Sequence, residues 1–172
     1  MGRARAFAKL LSLGTFEQVS DLPLVVERYK LEDRRGAPNG DFVRATTTIH
    51  LIGAGEQGQG EDVTYQADDH DTLQAAGPVQ RLAGEWTLGS FCEHVGTLDL
   101  FPAPPEVETS RLYRRWAFES AALDLALRQA GVSLHDRLGL APRPVTFVNS
   151  LRLGEPPTLE PRADATGFRW VE

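Results

Sequence analysis

Cysteine is nearly absent from this 172-residue chain, with Cys92 alone, so no internal disulfide can form and a reducing, cytoplasmic setting is the expectation. Lysine is almost as scarce. Lys9 and Lys30 are the only two. No run approaches the roughly 18 apolar residues needed to cross a bilayer, so no membrane partner is expected. An excess of basic residues is missing as well. The net charge of -6 argues against nucleic acid, whose binding draws on clustered Lys and Arg. Positive charge vanishes between Arg44 and Arg81, where Glu56, Glu61, Asp62, Asp68, Asp69 and Asp71 all fall.

What is present suits one buried domain with a remainder. Residues 1–20 read as a short amphipathic segment carrying Phe7, Leu10 and Leu11, a cleaved signal being the alternative. "LPLVVERYKL", residues 22–31, reads as a strand; "RRGAPNG" is a turn, and "VRATTTIHLIG" is the β-branched return strand. Gly53, Gly55, Gly58 and Gly60 read as a second turn before a short third strand through Val63 and Tyr65. The spacing then turns helical. Asp69 is a candidate cap for a helix that Gly77 and Pro78 interrupt, and Ser90 with Glu93 has capping-box spacing. The clearest helix runs from Ser110 to Gly131, with Leu112, Trp116, Leu123, Leu127 and Ala130 at helical intervals. Ser133 and Asp136 open a last helical turn. The order predicts an α+β fold, a three-stranded antiparallel meander packed on a helical bundle over residues 21–142. In "PVTFVNSLRLG", Pro144–Gly154, the crowded apolar residues read as a strand covered on both faces, opening a separate segment over 143–172.

"TTTIHLIGAGEQGQGEDVTY" and "WAFESAALDLALRQAGVSLHDRLGL", in this order, resemble the N-terminal capping domain of the enolase superfamily, in its mandelate racemase and muconate-lactonizing branch. The resemblance covers about residues 22–154 and implies an enolase N-terminal-like cap, with "PVTFVNSLRLG" as the first strand of a β/α barrel. It implies an isomerase or lyase that removes a proton α to a carboxylate, with Mg2+ stabilising the enediolate. It also implies that the catalytic barrel residues are absent here: after Gly154 the only acids are Glu155, Glu160, Asp164 and Glu172. No catalytic residue and no metal ligand is therefore assigned, Mg2+ being expected only in a complete family member. A premature stop, a shifted frame or an incomplete gene would each leave such a chain, and a separately encoded barrel is a further expectation.

Carried over by position, two loops would shape substrate choice: "EDRRGAPNGDF", Glu32–Phe42, and "GEDVTYQADDHD", Gly60–Asp71. In them Arg34 or Arg35 would pair with a small carboxylate substrate, Asn39 belongs to the tip, Phe42 would exclude water, and Tyr65 would offer a hydroxyl. For each alone, a solvated turn is the simpler reading. "DDHD" has metal-ligand residue types but sits where acids stabilise a helix N-terminus. His50, His94 and His135 are scattered, and Cys92 reads as a small buried residue. The alternative to the capping role is a stand-alone binding or self-association module, in which a homo-oligomer covers the apolar residues of 145–153.

Overall fold

The computed structural model describes residues 14–36 and 44–145. The chain divides into two compact units, Met1–Ala141 and Pro142–Glu172, and every described helix and strand lies in the first. The strand expected over 144–154 and the tail beyond it lie outside the described residues, apart from Pro144 and Val145, as do Phe7, Leu10, Leu11, Asn39 and Phe42.

A short helix α1 (Thr15–Val19) leads into β1 (Pro23–Val26) and β2 (Arg28–Gly36). The single strand expected over 22–31 is thus two. The chain changes partners at Glu27: β1 pairs antiparallel with the four-residue β5 (Gly84–Thr87), whereas β2 pairs with β3 (Arg44–Gly53). Glu27 itself donates its backbone N–H to the Ile52 carbonyl at 2.8 Å, so its own amide is paired at the switch.

β3 returns into β4 (Glu56–Asp62) and completes a three-stranded antiparallel sheet in the order β2-β3-β4. Ala54 and Gly55, both at positive φ (49° and 79°), form the tight two-residue turn between Gly53 and Glu56 whose twist matches the strands. Gly58 and Gly60 are not part of that turn. They lie inside β4, on the face that carries α4 (Ser110–Ala130), where a Cβ at Gly60 would overlap the Ala117 carbonyl oxygen and one at Gly58 the Ala121 carbonyl oxygen. The third strand also ends earlier than expected. The Asp62 carboxylate accepts the Thr64 N–H (3.0 Å) and hydroxyl (2.6 Å), and this local turn carries Val63 and Tyr65 out of the ladder.

α2 (Ala67–Ala76) starts two residues before the expected cap at Asp69, with Gln66 in the cap position, and stops at Gly77 at φ 69°. In α3 (Leu88–Gly96) the capping box is Thr87 with Ser90, not Ser90 with Glu93. The Ser90 N–H donates to the Thr87 hydroxyl, and the Thr87 N–H to the Ser90 hydroxyl. α4 ends at left-handed Gly131, and Ser133 caps α5 (Leu134–Leu138).

The core lies between α4 and the two sheets and includes Leu24, Val26, Ile49, Leu51, Phe91 and Phe118. α4 turns toward it a face of small residues (Ala117, Ala121, Ala122, Ala126) together with Phe118 and Leu125. Of the residues at helical spacing in the sequence, Leu123 and Leu127 are partly buried against the core, whereas Leu112 and Trp116 are 51% and 54% exposed. Large apolar letters at helical spacing mark an apolar face, but the distance to β4, set by Gly58 and Gly60, admits only small side chains at the closest contact. No helix among the described residues is long and apolar enough to cross a membrane.

Candidate functional site

The two segments singled out in the sequence meet at one end of the three-stranded sheet. The end of β2 and the start of β3 come from the hairpin; the end of β4, the turn after it and the first turn of α2 come from the second segment. Arg35 of the first segment pairs with Asp71 of the second; from the adjoining start of β3 the Arg44 guanidinium donates to the Val63 carbonyl at 2.6 Å, and the Thr46 hydroxyl donates to Glu61 at 2.7 Å.

Successive residues of a strand point to opposite faces, so Arg34 and Arg35 diverge. Arg35 is held by Asp33 (2.8 Å) and Asp71 on the face shared with α2. Arg34 lies on the outer face, paired with Glu32 at 3.0 Å, and lines a shallow depression of about 260 Å3 with Thr48, Gln59 and Glu61. Tyr65 is 62% exposed, its ring 5.0 Å from the Arg44 guanidinium carbon. Arg34 and Arg35 therefore cannot grip one carboxylate from the same side.

The outer face of the central strand carries a second polar group. His50, buried on β3, donates from Nε2 to Glu32 (2.8 Å) and accepts at Nδ1 from the Gln57 amide (3.0 Å). That bond from His50 is the main reason the Glu32 carboxyl is held below its usual range, with Arg34 adding to it.

Beneath the turn lies a fully buried network. Arg114 of α4 pairs with Asp62 at 2.7 Å, both side chains shut off from solvent, and donates to the carbonyls of Asp69 (2.9 Å) and Leu100 (3.3 Å). Its guanidinium carbon sits 3.6 Å from the Phe101 ring centre. His70 donates from Nε2 to the Thr64 carbonyl (2.9 Å), which fixes Nδ1 as the acceptor of the Thr47 hydroxyl at 3.0 Å. Asp62, Thr64, His70 and Arg114 thereby hold the segment that presents Tyr65. None of the four was singled out from the sequence in this role; an arginine amid the alanines of an otherwise apolar helix face was the available signal.

Within "DDHD", Asp71 is committed to Arg35 and His70 to the buried network. Gln66 Oε1 and Asp69 Oδ2 are buried without a hydrogen-bond partner. Among the described residues no group of three or more His, Cys, Asp or Glu is placed to hold a metal ion. The remaining acids of interest have structural partners: Glu119 pairs with Arg115, while Asp124 pairs with Arg128 and accepts the outward N–H of Gln59, covering part of the β4 edge. Burial pushes the Cys92 thiol up to about 11, consistent with an inert packed residue.

Comparison with curated proteins and with solved structures finds no match. A match over residues 17–137 takes in every described element from β1 to the end of α4 and most of α5, and by it the chain belongs to the family described as Domain of unknown function (DUF8230) N-terminal domain.

Proposed function

We propose that residues 21–142 form an enolase-like capping domain whose hairpin end shapes the substrate pocket of a Mg2+-dependent isomerase or lyase acting α to a carboxylate. The observation that carries this reading is the convergence of the two loop segments at one sheet end, tied by Arg35–Asp71 and Arg44–Val63. A specificity surface needs two loops held in fixed register by a rigid base, and the buried Asp62–Arg114 pair supplies that base. In this reading Arg34, exposed on the outer face, and Tyr65 face substrate, while Arg35 braces the loops rather than binding.

The test begins with the DNA downstream of codon 172, translated in all three frames. The expected result is a continuation with Lys- and Asp/Glu-bearing strands alternating with helices. Its product should exchange the α-proton of small carboxylates in D2O only with Mg2+ present, and Tyr65→Phe should raise KM with kcat little changed. No such continuation in any frame, and no separately encoded barrel that gives Mg2+-dependent exchange on mixing, would together overturn the proposal.

A second reading, self-association, is favoured by the exposed Leu112 and Trp116 on α4. Sedimentation velocity would support it through a dimer that Trp116→Glu converts to monomer; a wild-type monomer would sink it.

A further inference from the structure

We infer that the chain carries an anion-binding groove at the other end of β2, away from the hairpin, suited to a small carboxylate or phosphate borne on an apolar or aromatic body. The groove is open and has a volume of about 500 Å3, between the β1–β2 junction and the irregular stretch 78–83. Its walls include Tyr29 and Pro78, and its charges are Arg28, Arg81 and Glu27.

Two observations point to a ligand. First, every other arginine of the described part of α4 and β2 is engaged with an acid: Arg34, Arg35, Arg111, Arg114, Arg115 and Arg128. Arg28 and Arg81 have no side-chain ion pair or hydrogen bond among the described residues, and both line this groove. Glu27, the one acid on the lining, accepts the Ala54 N–H at 3.1 Å, leaving the groove with a net positive charge. Second, the stretch presenting Arg81 is irregular yet pinned from four directions. The Gln80 N–H donates to the Tyr29 hydroxyl (2.8 Å), and the Gln80 amide to the Asp99 carbonyl (2.8 Å). His94, stacked on Trp86 with ring centres 4.9 Å apart, donates to the Arg81 carbonyl (3.0 Å), and Trp86 donates to the Leu82 carbonyl (3.1 Å). A loop fixed on both sides of a free guanidinium pre-organises that charge, which is how a site lowers the ordering cost of binding.

The chemistry selects the ligand class. Guanidinium forks favour a carboxylate or a phosphate oxyanion, Arg28 reaching the groove from the strand face opposite to Tyr29, and Tyr29 with Pro78 favours an apolar body beside it. The site stands apart from the hairpin end, so its fate is independent of the capping proposal.

The test is an NMR titration of the full chain with phenyl phosphate and, separately, benzoate. Saturable shifts of the Gln80, Arg81 and Leu82 amides are expected, with a Kd of about 1 mM or tighter for at least one probe. A response to both marks a general oxyanion site; a response to one assigns it to phosphate esters or to carboxylates. Arg28→Gln and Arg81→Gln should each weaken binding about tenfold while leaving the melting temperature unchanged, since neither side chain has a partner to lose. Arg128→Gln, outside the groove, should bind as the wild type does. Absence of saturable shifts with either probe, or equal weakening by Arg128→Gln, would overturn the inference.

Discussion

Arg114 illustrates how one residue can fix a site without belonging to its surface. Its charge is removed from water and repaid by Asp62, two carbonyls and the face of Phe101. Breaking such a pair leaves the partner charged and buried, so Arg114→Met should destabilise the fold by about 3–5 kcal/mol. Urea denaturation followed by circular dichroism measures this. Adding Asp62→Asn should recover part of the loss, because the stranded charge is then gone; a double variant no better than the single would argue that packing over Phe101, not charge, dominates. The pairing was not legible in the sequence, although Arg114 among alanines was a hint: Arg114 and Asp62 are 52 positions apart, and a carboxylate closing a strand looks the same whether it faces water or a guanidinium. Arg34, Arg35 and Tyr65 were legible as members of a turn-rich end. That adjacent arginines on a strand must part to opposite faces follows from the pleat alone.

At the scale of elements, α4 and β4 fit because one supplies alanines and the other glycines. Gly60→Ala places a methyl group against the Ala117 carbonyl oxygen, and backbone on both sides cannot yield as a flexible side chain would. A loss of about 3 kcal/mol is expected at Gly60, read as a lowered urea midpoint with an unchanged slope; Gly36→Ala, where nothing among the described residues crowds the added atom, should lie within about 0.5 kcal/mol of wild type. The same pair explains a misreading. "GEQGQG" looks like loop because glycine usually marks one, and only the neighbouring helix makes glycine useful inside that strand. The three-stranded order and the long helix were visible, since β-branched runs and a capped 3.6-residue period are local signals. β5 was not, because four residues beginning with glycine become a strand only by pairing with β1.

At the scale of the whole described unit, charge pairs on different elements share a dependence on acid. The Glu32 carboxyl is held low chiefly by the bond from His50, and Asp99 by the Phe101 N–H and then Arg111. A carboxyl with a lowered folded pKa contributes stability above its unfolded value and loses it as pH falls through the folded one. Stability should therefore decline as pH drops below about 5, and Glu32→Gln should flatten the upper part of that decline. Chemical denaturation at a series of pH values tests this; a Glu32→Gln curve parallel to wild type throughout would refute the contribution of Glu32.

Gln129, near the end of α4, returns the Val25 backbone both of its hydrogen bonds, accepting from the N–H at 2.9 Å and donating to the carbonyl at 2.8 Å, and reaches the Gly53 carbonyl at 3.0 Å as well. A single carboxamide thus stands in for a missing strand between the two sheets, and it makes the Val25 amide a reporter of whether the helix is seated. In native-state hydrogen exchange that amide should open together with α4 and not with the β1–β5 ladder. With Gln129→Ala the two sheets would lose their shared clasp, and Val25 would exchange at lower free energy than the centre of β3, turning one cooperative unit into two that breathe separately.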